Sequence, residues 1–237
     1  MALHLGNANF CLTDRSVSAI DICMGQQLAS QRTERTASLA RILDAAEQVF
    51  AEAGFEAAGM KAIASRSGVS QGLLHYHFGS KDRLYQEVIR ARSKKINDAR
   101  MALLSAVDFA ADDALRNVIE ALFRPPLGAE GGGKAYARIF AGLIVGRPRD
   151  QALVRECYDP TARIFIEAIT RARPDIGTAQ AGMIYQMALG VLASVISRDG
   201  RLERLMGREE KPLEDGELVT ALTDFVAGGA SAVSARP

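Results

Sequence analysis

Gly68-Val69-Ser70 separates two short helical runs within residues 62–81, AIASRSGVSQGLLHYHFGSK, and compels them to meet at a sharp turn. Glycine at 68 is the residue type that stops a helix in the left-handed conformation, and Ser70 is a good cap for the next helix. Ile63 and Ala64 give the first run an apolar face. Val69 in the turn, with Leu74 and Phe78 spaced i, i+4, supplies the apolar side that holds the second run down. The other side of that second helix is left for a partner.

The residues on that side have a chemistry suited to a DNA duplex. Gln71 carries an amide that can make two hydrogen bonds to adenine, Gly72 admits close backbone approach, Leu73 can touch a thymine methyl, and His75 and Tyr76 offer an imidazole and a phenol. A helix-turn-helix places the N-terminal part of its second helix in the major groove, so Gln71, Leu73 and His75 are expected nearest the base edges. Tyr76, Lys81 and Lys61 suit phosphate contacts, Lys61 standing at a helix start where unpaired amides also favour an anion. A glycine turn between helices also occurs as plain packing, so the longer run of residues carries the reading.

That run, Arg41 to Ile89, resembles the N-terminal domain of the tetracycline-repressor (TetR) family of bacterial transcriptional regulators. The markers are Ala45-Ala46, Phe50, Gly54-Phe55, Ile63-Ala64, Gly68-Val69-Ser70, Gly72, Leu74, Tyr76, Phe78, Ser80-Lys81 and Leu84. Three positions depart from the pattern. Gly59 stands where Ser or Thr is frequent, Leu73 where Thr is frequent and His75 where Tyr is commoner, so no base preference is carried over. The resemblance implies an all-α protein, with a three-helix helix-turn-helix domain joined to a larger C-terminal helical ligand-binding and dimerisation domain. It also implies a homodimer that represses from a palindromic operator, its two heads roughly 34–36 Å or a multiple apart, until a small effector releases it. A ligand-independent DNA-binding or architectural protein is the alternative, and a helical enzyme that has borrowed the motif is a third.

Charge follows the same division. Net charge is only +1, yet residues 31–100 hold 12 Lys/Arg against 8 Asp/Glu, while residues 101–237 hold 16 against 18. The positive excess coincides with the DNA motif. With 237 residues, 48% of them hydrophobic, the chain has the composition of a soluble protein with a sizeable core. No run approaches the roughly 18 apolar residues of a membrane span and no basic-then-apolar signal order opens the chain, so a cytoplasmic location without membrane contact is expected. Cys11, Cys23 and Cys157 have neither disulfide nor metal spacing. His75 and His77 project about 200° apart on a helix, so neither a metal nor another cofactor is expected. Gly128 to Ala135, GAEGGGKA, mimics a phosphate-binding loop but ends in Ala and follows Pro125-Pro126 instead of a strand, which favours an interhelical loop. No nucleophile, base and acid converge, so catalysis is not expected.

Three segments follow: a mobile extension over residues 1–30, the DNA-binding domain over 31–81 and the regulatory and dimerisation domain over 82–237. The leader from Met24 has the length usual in the resembled family, making Met24 an alternative start to Met1. Arg32 and Arg35 are placed either in a basic arm for a minor groove or in a solvated leader. Periodicity predicts helices over residues 36–53, 82–107, 112–123, 134–145, 149–171 with a kink at Pro160, 178–198 and 217–227, plus one extra turn over 201–207. The resemblance places a dimer face on the last two long helices, with Ala181, Tyr185, Ala188, Leu192, Leu222 and Phe225 as candidates, although packing within one subunit would use the same residues. An effector pocket is assigned to the apolar side chains Phe123, Phe140, Leu143, Ile144, Phe165, Met183 and Met187. Arg138, Cys157 and Tyr158 are its polar candidates. Residues 172–205 are similar to the C-terminal domains of family members that respond to hydrophobic acids.

Overall fold

The computed structural model describes residues 15–146, 148–196, 200–207 and 213–233, and these contain helices but no strand. The chain divides into two compact units, Met1–Arg41 and Ile42–Pro237. In the first unit, Arg15 onwards is helical and belongs to α1 (Arg15–Ala57). Helix over residues 15–30 goes beyond the sequence reading, which found no periodicity there: the segment has no proline, and its Ala, Leu, Met and Gln residues are good helix formers that tolerate the single Gly25. Arg32 and Arg35 are exposed positions of this helix, and the Thr36 hydroxyl donates to the Arg32 carbonyl at 2.8 Å. The expectation for residues 1–14 lies outside the described residues.

The second unit begins with the end of α1, which is broken at Gly54 (φ 72°, ψ 168°) as the sequence suggested. Next come α2 (Met60–Ser67), α3 (Gln71–Phe78) and α4 (Lys81–Ser105). Gly68 closes α2 in the left-handed region at φ 70°, ψ 22°, and the Ser70 Oγ accepts from the Leu73 amide at 3.1 Å to start α3. Gly79 and Ser80 repeat the device between α3 and α4, Ser80 Oγ accepting from the Arg83 amide at 3.2 Å. Each turn satisfies backbone groups that a helix end leaves unpaired. Ile42, Ala46, Phe50, Ile63, Leu74, Leu84 and Val88 are buried, and Phe50, Phe55 and Tyr85 make edge and stacked ring contacts that join α1 to α4.

The remaining helices are α5 (Ala114–Leu127), α6 (Gly133–Val145), α7 (Gln151–Cys157), α8 (Asp159–Ala172), α9 (Thr178–Ile196), α10 (Arg201–Met206) and α11 (Asp215–Ser231). α5 is central, packing on α4, α8, α9 and α11, while α9 also meets α6 and α8. Two breaks differ from expectation. The first concerns Pro125 and Pro126, which lie inside the last turn of α5, buried, instead of ending it. The second is at Tyr158 (φ −123°, ψ −37°), where α7 and α8 separate; Pro160 does not kink one long helix but sits in the first turn of α8, where its missing N–H costs no helical bond. The GAEGGGKA segment contains a 3₁₀ turn, Ala129–Gly131, and two of its glycines have packing reasons. A Cβ at Gly131 would lie 1.9 Å from the Pro126 carbonyl oxygen, and one at Gly132 would lie 2.8 Å from both Arg92 Nε and Glu47 Oε1. By length and composition alone α9 could also cross a membrane, but a core helix meets the same description, and α9 packs on α5, α6, α8 and α11.

Candidate nucleic-acid interface and effector cavity

The short α3 presents one side to the core and one to solvent. Leu74 and Phe78 are buried, whereas Gln71, Gly72, Leu73, His75 and Tyr76 are exposed, Tyr76 to 80% of its surface. Lys61, at the start of α2, is exposed as well. His75 is oriented by its own helix end: Nδ1 faces the Gly79 carbonyl at 3.1 Å, and since a carbonyl only accepts, Nδ1 carries the proton. Nε2 is the ring nitrogen that this bond leaves available to a partner.

Lys81 has a second attachment that the sequence reading missed. Its Nζ donates to the Glu56 carbonyl at 3.0 Å and lies 4.6 Å from the Phe55 ring centroid, so it ties the start of α4 to the end of α1. An ammonium has three protons, so two remain for a phosphate. Arg83, exposed one turn behind α3, is a further cation the sequence reading omitted; its charge was the only available signal.

Behind the head, a cavity of about 190 Å³ opens among α4, α6, α7, α8 and α9. Of the ten expected pocket residues, Phe140, Leu143, Ile144 and Tyr158 line it. The others lie elsewhere. Phe123 and Phe165 are fully buried core, Arg138 is exposed, and Met183 and Met187 point outward, 43% and 57% exposed. Cys157 is half-buried outside the lining; its carbonyl accepts from Asn97 Nδ2 at 2.7 Å, and burial pushes its thiol pKa up.

Arg100 was missed, although the pattern held a clue. Ser93, Ile96, Arg100 and Leu104 recur on one buried stripe of α4, and a guanidinium at such a position is out of place by hydrophobic pattern alone. The residue is 2% exposed. Its Nε donates to the Leu122 carbonyl at 3.0 Å, while Nη2 is buried without a hydrogen-bond partner. Burial holds its pKa below the ordinary arginine value against the opposing influence of the Tyr185, Tyr158 and Tyr136 phenols. The Tyr136 and Tyr158 hydroxyls are hydrogen-bonded to each other, and burial raises both phenol pKa values.

The expected dimer residues also need revision. Ala181, Tyr185, Ala188, Leu192 and Leu222 are all buried within their own subunit, and Tyr185 lines the cavity instead of an outer face. Only Phe225, 72% exposed, points outward. The exposed faces of these helices carry Met183, Met187 and Gly190 on α9 and Ala221, Phe225 and Gly228 on α11. The buried candidates thus lie on the inward sides of their helices: an apolar helix can be apolar on both sides, and periodicity alone does not say which side turns inward.

Several polar contacts connect the head to the cavity domain. Arg92 of α4 grips Glu47 of α1 through Nε–Oε2 at 2.9 Å and Nη2–Oε1 at 3.0 Å, and its Nη1 donates to the Glu130 carbonyl at 3.2 Å. Arg149 reaches Glu56 at 3.2 Å and Asp82 at 3.1 Å while its guanidinium lies 3.3 Å over the Phe55 ring. Arg90 bridges α4 to Glu156 at 2.7 Å and holds that carboxyl below its ordinary range.

Comparison with known proteins agrees with this division. Residues 42–88 match the model for bacterial regulatory proteins of the tetR family, and residues 116–229 match a tetracyclin repressor-like C-terminal domain. The chain belongs to the TetR family. As a TetR-family member, it is an all-α DNA-binding transcriptional regulator. It is 28% identical over 210 residues to the transcriptional activator FasR of Mycolicibacterium smegmatis, covering 88% of this chain and 90% of that one. Similarity to the regulator UidR of Escherichia coli is 26% over 186 residues, 72% of this chain and 87% of UidR. Among solved structures, PfmR from Thermus thermophilus has the same fold at a TM-score of 0.60 and 21% identity, covering 79% of this TetR-family chain and 97% of PfmR. FadR from Bacillus subtilis, solved in complex with stearoyl-CoA, gives 0.60 at 16% identity, with 81% and 97% covered.

Proposed function

We propose that this protein is a homodimeric, cytoplasmic repressor that reads a palindromic operator with paired α3 helices and leaves it when a small, hydrophobic effector fills the cavity. One observation carries the reading: only two residues separate the end of α3 from the start of α4, and the same helix contributes Arg100 to the cavity wall. Nineteen residues of helix separate Lys81 from Arg100, a span of about 28 Å. An effector that prefers one position of α4 therefore acts at the root of the recognition helix, and it changes operator affinity only by that preference. The fold shared with a FadR solved in complex with stearoyl-CoA is consistent with a small, hydrophobic effector.

Gln71, Leu73 and His75 are assigned to base edges, with Gly72 at the closest backbone approach. Tyr76, Lys61 and Lys81 are assigned to phosphates. Two copies meet through the outward faces of α9 and α11, around Met183, Met187 and Phe225. Selection of bound sequences from a random duplex pool tests the reading: it is expected to return an inverted repeat protected symmetrically in a footprint. A pool bound without sequence preference would favour the architectural alternative. The similarity to FasR favours a second reading of the sign, activation in place of repression; transcription from the selected site with and without the protein separates the two.

A further inference from the structure

We propose that the cavity is a receptor for an amphipathic anion whose oxyanion head is held by Arg100 and whose apolar body lies against Phe140, Leu143, Ile144 and Leu189. This rests on the effector reading above and narrows it to a chemical class. The geometry has three parts. First, Arg100 is 2% exposed, lines the cavity, spends Nε on the Leu122 carbonyl and leaves Nη2 buried without a partner. A buried guanidinium nearly always has an anion, because an uncompensated charge in the interior is costly. Second, no carboxylate hydrogen-bonds or forms an ion pair with Arg100 among the described contacts; the groups that act on its charge are the phenols of Tyr136, Tyr158 and Tyr185. Phenols are weak counter-ions but good donors to a bound oxyanion, and Tyr158 and Tyr185 both line the cavity. Third, the rest of the wall is mainly apolar, and its volume of about 190 Å³ exceeds the ~150 Å³ of a cavity that accepts benzene, which suits a body of about eight carbon atoms.

Asp159 also lines the cavity and is only half-buried. Its carboxylate disfavours a second negative charge near α8, so the site suits a single charged head at the α4 wall. A planar carboxylate matches a guanidinium edge and two phenols.

The test uses the full chain, with octanoate and its neutral isostere octanamide as probes, by calorimetric titration. Octanoate is expected to bind at least about tenfold tighter than octanamide, the worth of one charge-assisted hydrogen bond. Arg100→Met should lose that preference, weakening octanoate about tenfold while leaving octanamide within about twofold. Arg100→Lys, which keeps the charge, should retain part of the preference and guards against misreading a packing defect in Arg100→Met. Equal affinity of wild type for the two probes, octanoate binding unaffected by Arg100→Met, or no binding of octanoate overturns the anion site. The two readings separate in operator binding: Arg100-dependent octanoate binding that leaves DNA affinity unchanged keeps the site and removes the effector role. Release of DNA by octanamide as readily as by octanoate keeps an effector and removes the anion site.

Discussion

Gly72 has no reason within its own subunit to be glycine. Its φ is not in the left-handed region, and a Cβ there would meet only Ser70 Oγ, at 3.9 Å. Gly72→Ala is therefore expected to raise folding stability by about 0.5–1 kcal/mol, through helix propensity, while weakening operator binding because the added methyl stands between α3 and the duplex. Denaturant unfolding and a binding titration check the two halves, and unchanged DNA affinity would remove Gly72 from the interface. Gly131 and Gly132 are the opposite case, held by contacts with Pro126, Arg92 and Glu47 that the sequence could not display. For the same reason Lys81 was legible as a cation but not as a lock on Glu56, and Arg100 was passed over because a cation on an apolar stripe reads as a solvated residue until its burial is known.

Helix boundaries came through where the signal was local. Gly68-Val69-Ser70 states its turn in its own residues, so the end of α2 and the start of α3 were readable, and the expected start of the next helix at residue 82 lies one residue from the start of α4. Pro125-Pro126 and Pro160 misled because a proline's effect depends on its place within a helical turn, which tertiary packing decides. The most consequential link between elements is also non-local: Arg92 on α4 against Glu47 on α1, with side chains only 12% and 5% exposed. Removing one partner leaves a buried charge, so Arg92→Ala is expected to cost about 3 kcal/mol and to loosen the head from α4. Burial outweighs the Arg92 fork at Glu47 and raises its carboxyl pKa above the ordinary 4.5. In the window just above 4.5 the folded protein keeps a proton that the unfolded chain has lost, so this group's contribution is greatest below 4.5 and falls as pH rises through the folded value. Wild type should accordingly lose stability relative to Glu47→Gln as pH is raised from about 4 to about 7. A constant difference in thermal unfolding across that range would show that Glu47 does not titrate differently on folding.

At the scale of the whole molecule, the helical class and the division into a DNA-reading head and a larger helical remainder were visible in the sequence. The orientation of the later helices was not, because α9 is apolar on most of its circumference and each of its faces has the composition of an interface. Phe225, 72% exposed on α11, is a large apolar side chain at odds with an isolated subunit. Phe225→Asp is expected to leave the helical circular dichroism intact while converting a dimer to a monomer in sedimentation at micromolar concentration, with loss of cooperative operator binding. A dimer that survives the change would place the subunit contact elsewhere. The central claim, that the exposed edge of α3 reads DNA sequence, is tested most directly by titrating wild type, Gln71→Ala and Lys61→Ala against the selected palindrome and a scrambled duplex across a salt series. The account predicts that wild type prefers the palindrome, that Gln71→Ala narrows that preference by about 1–3 kcal/mol, and that Lys61→Ala weakens both duplexes alike and lowers the salt slope by about one. Equal affinity of wild type for both duplexes, or a preference untouched by Gln71→Ala, would contradict it.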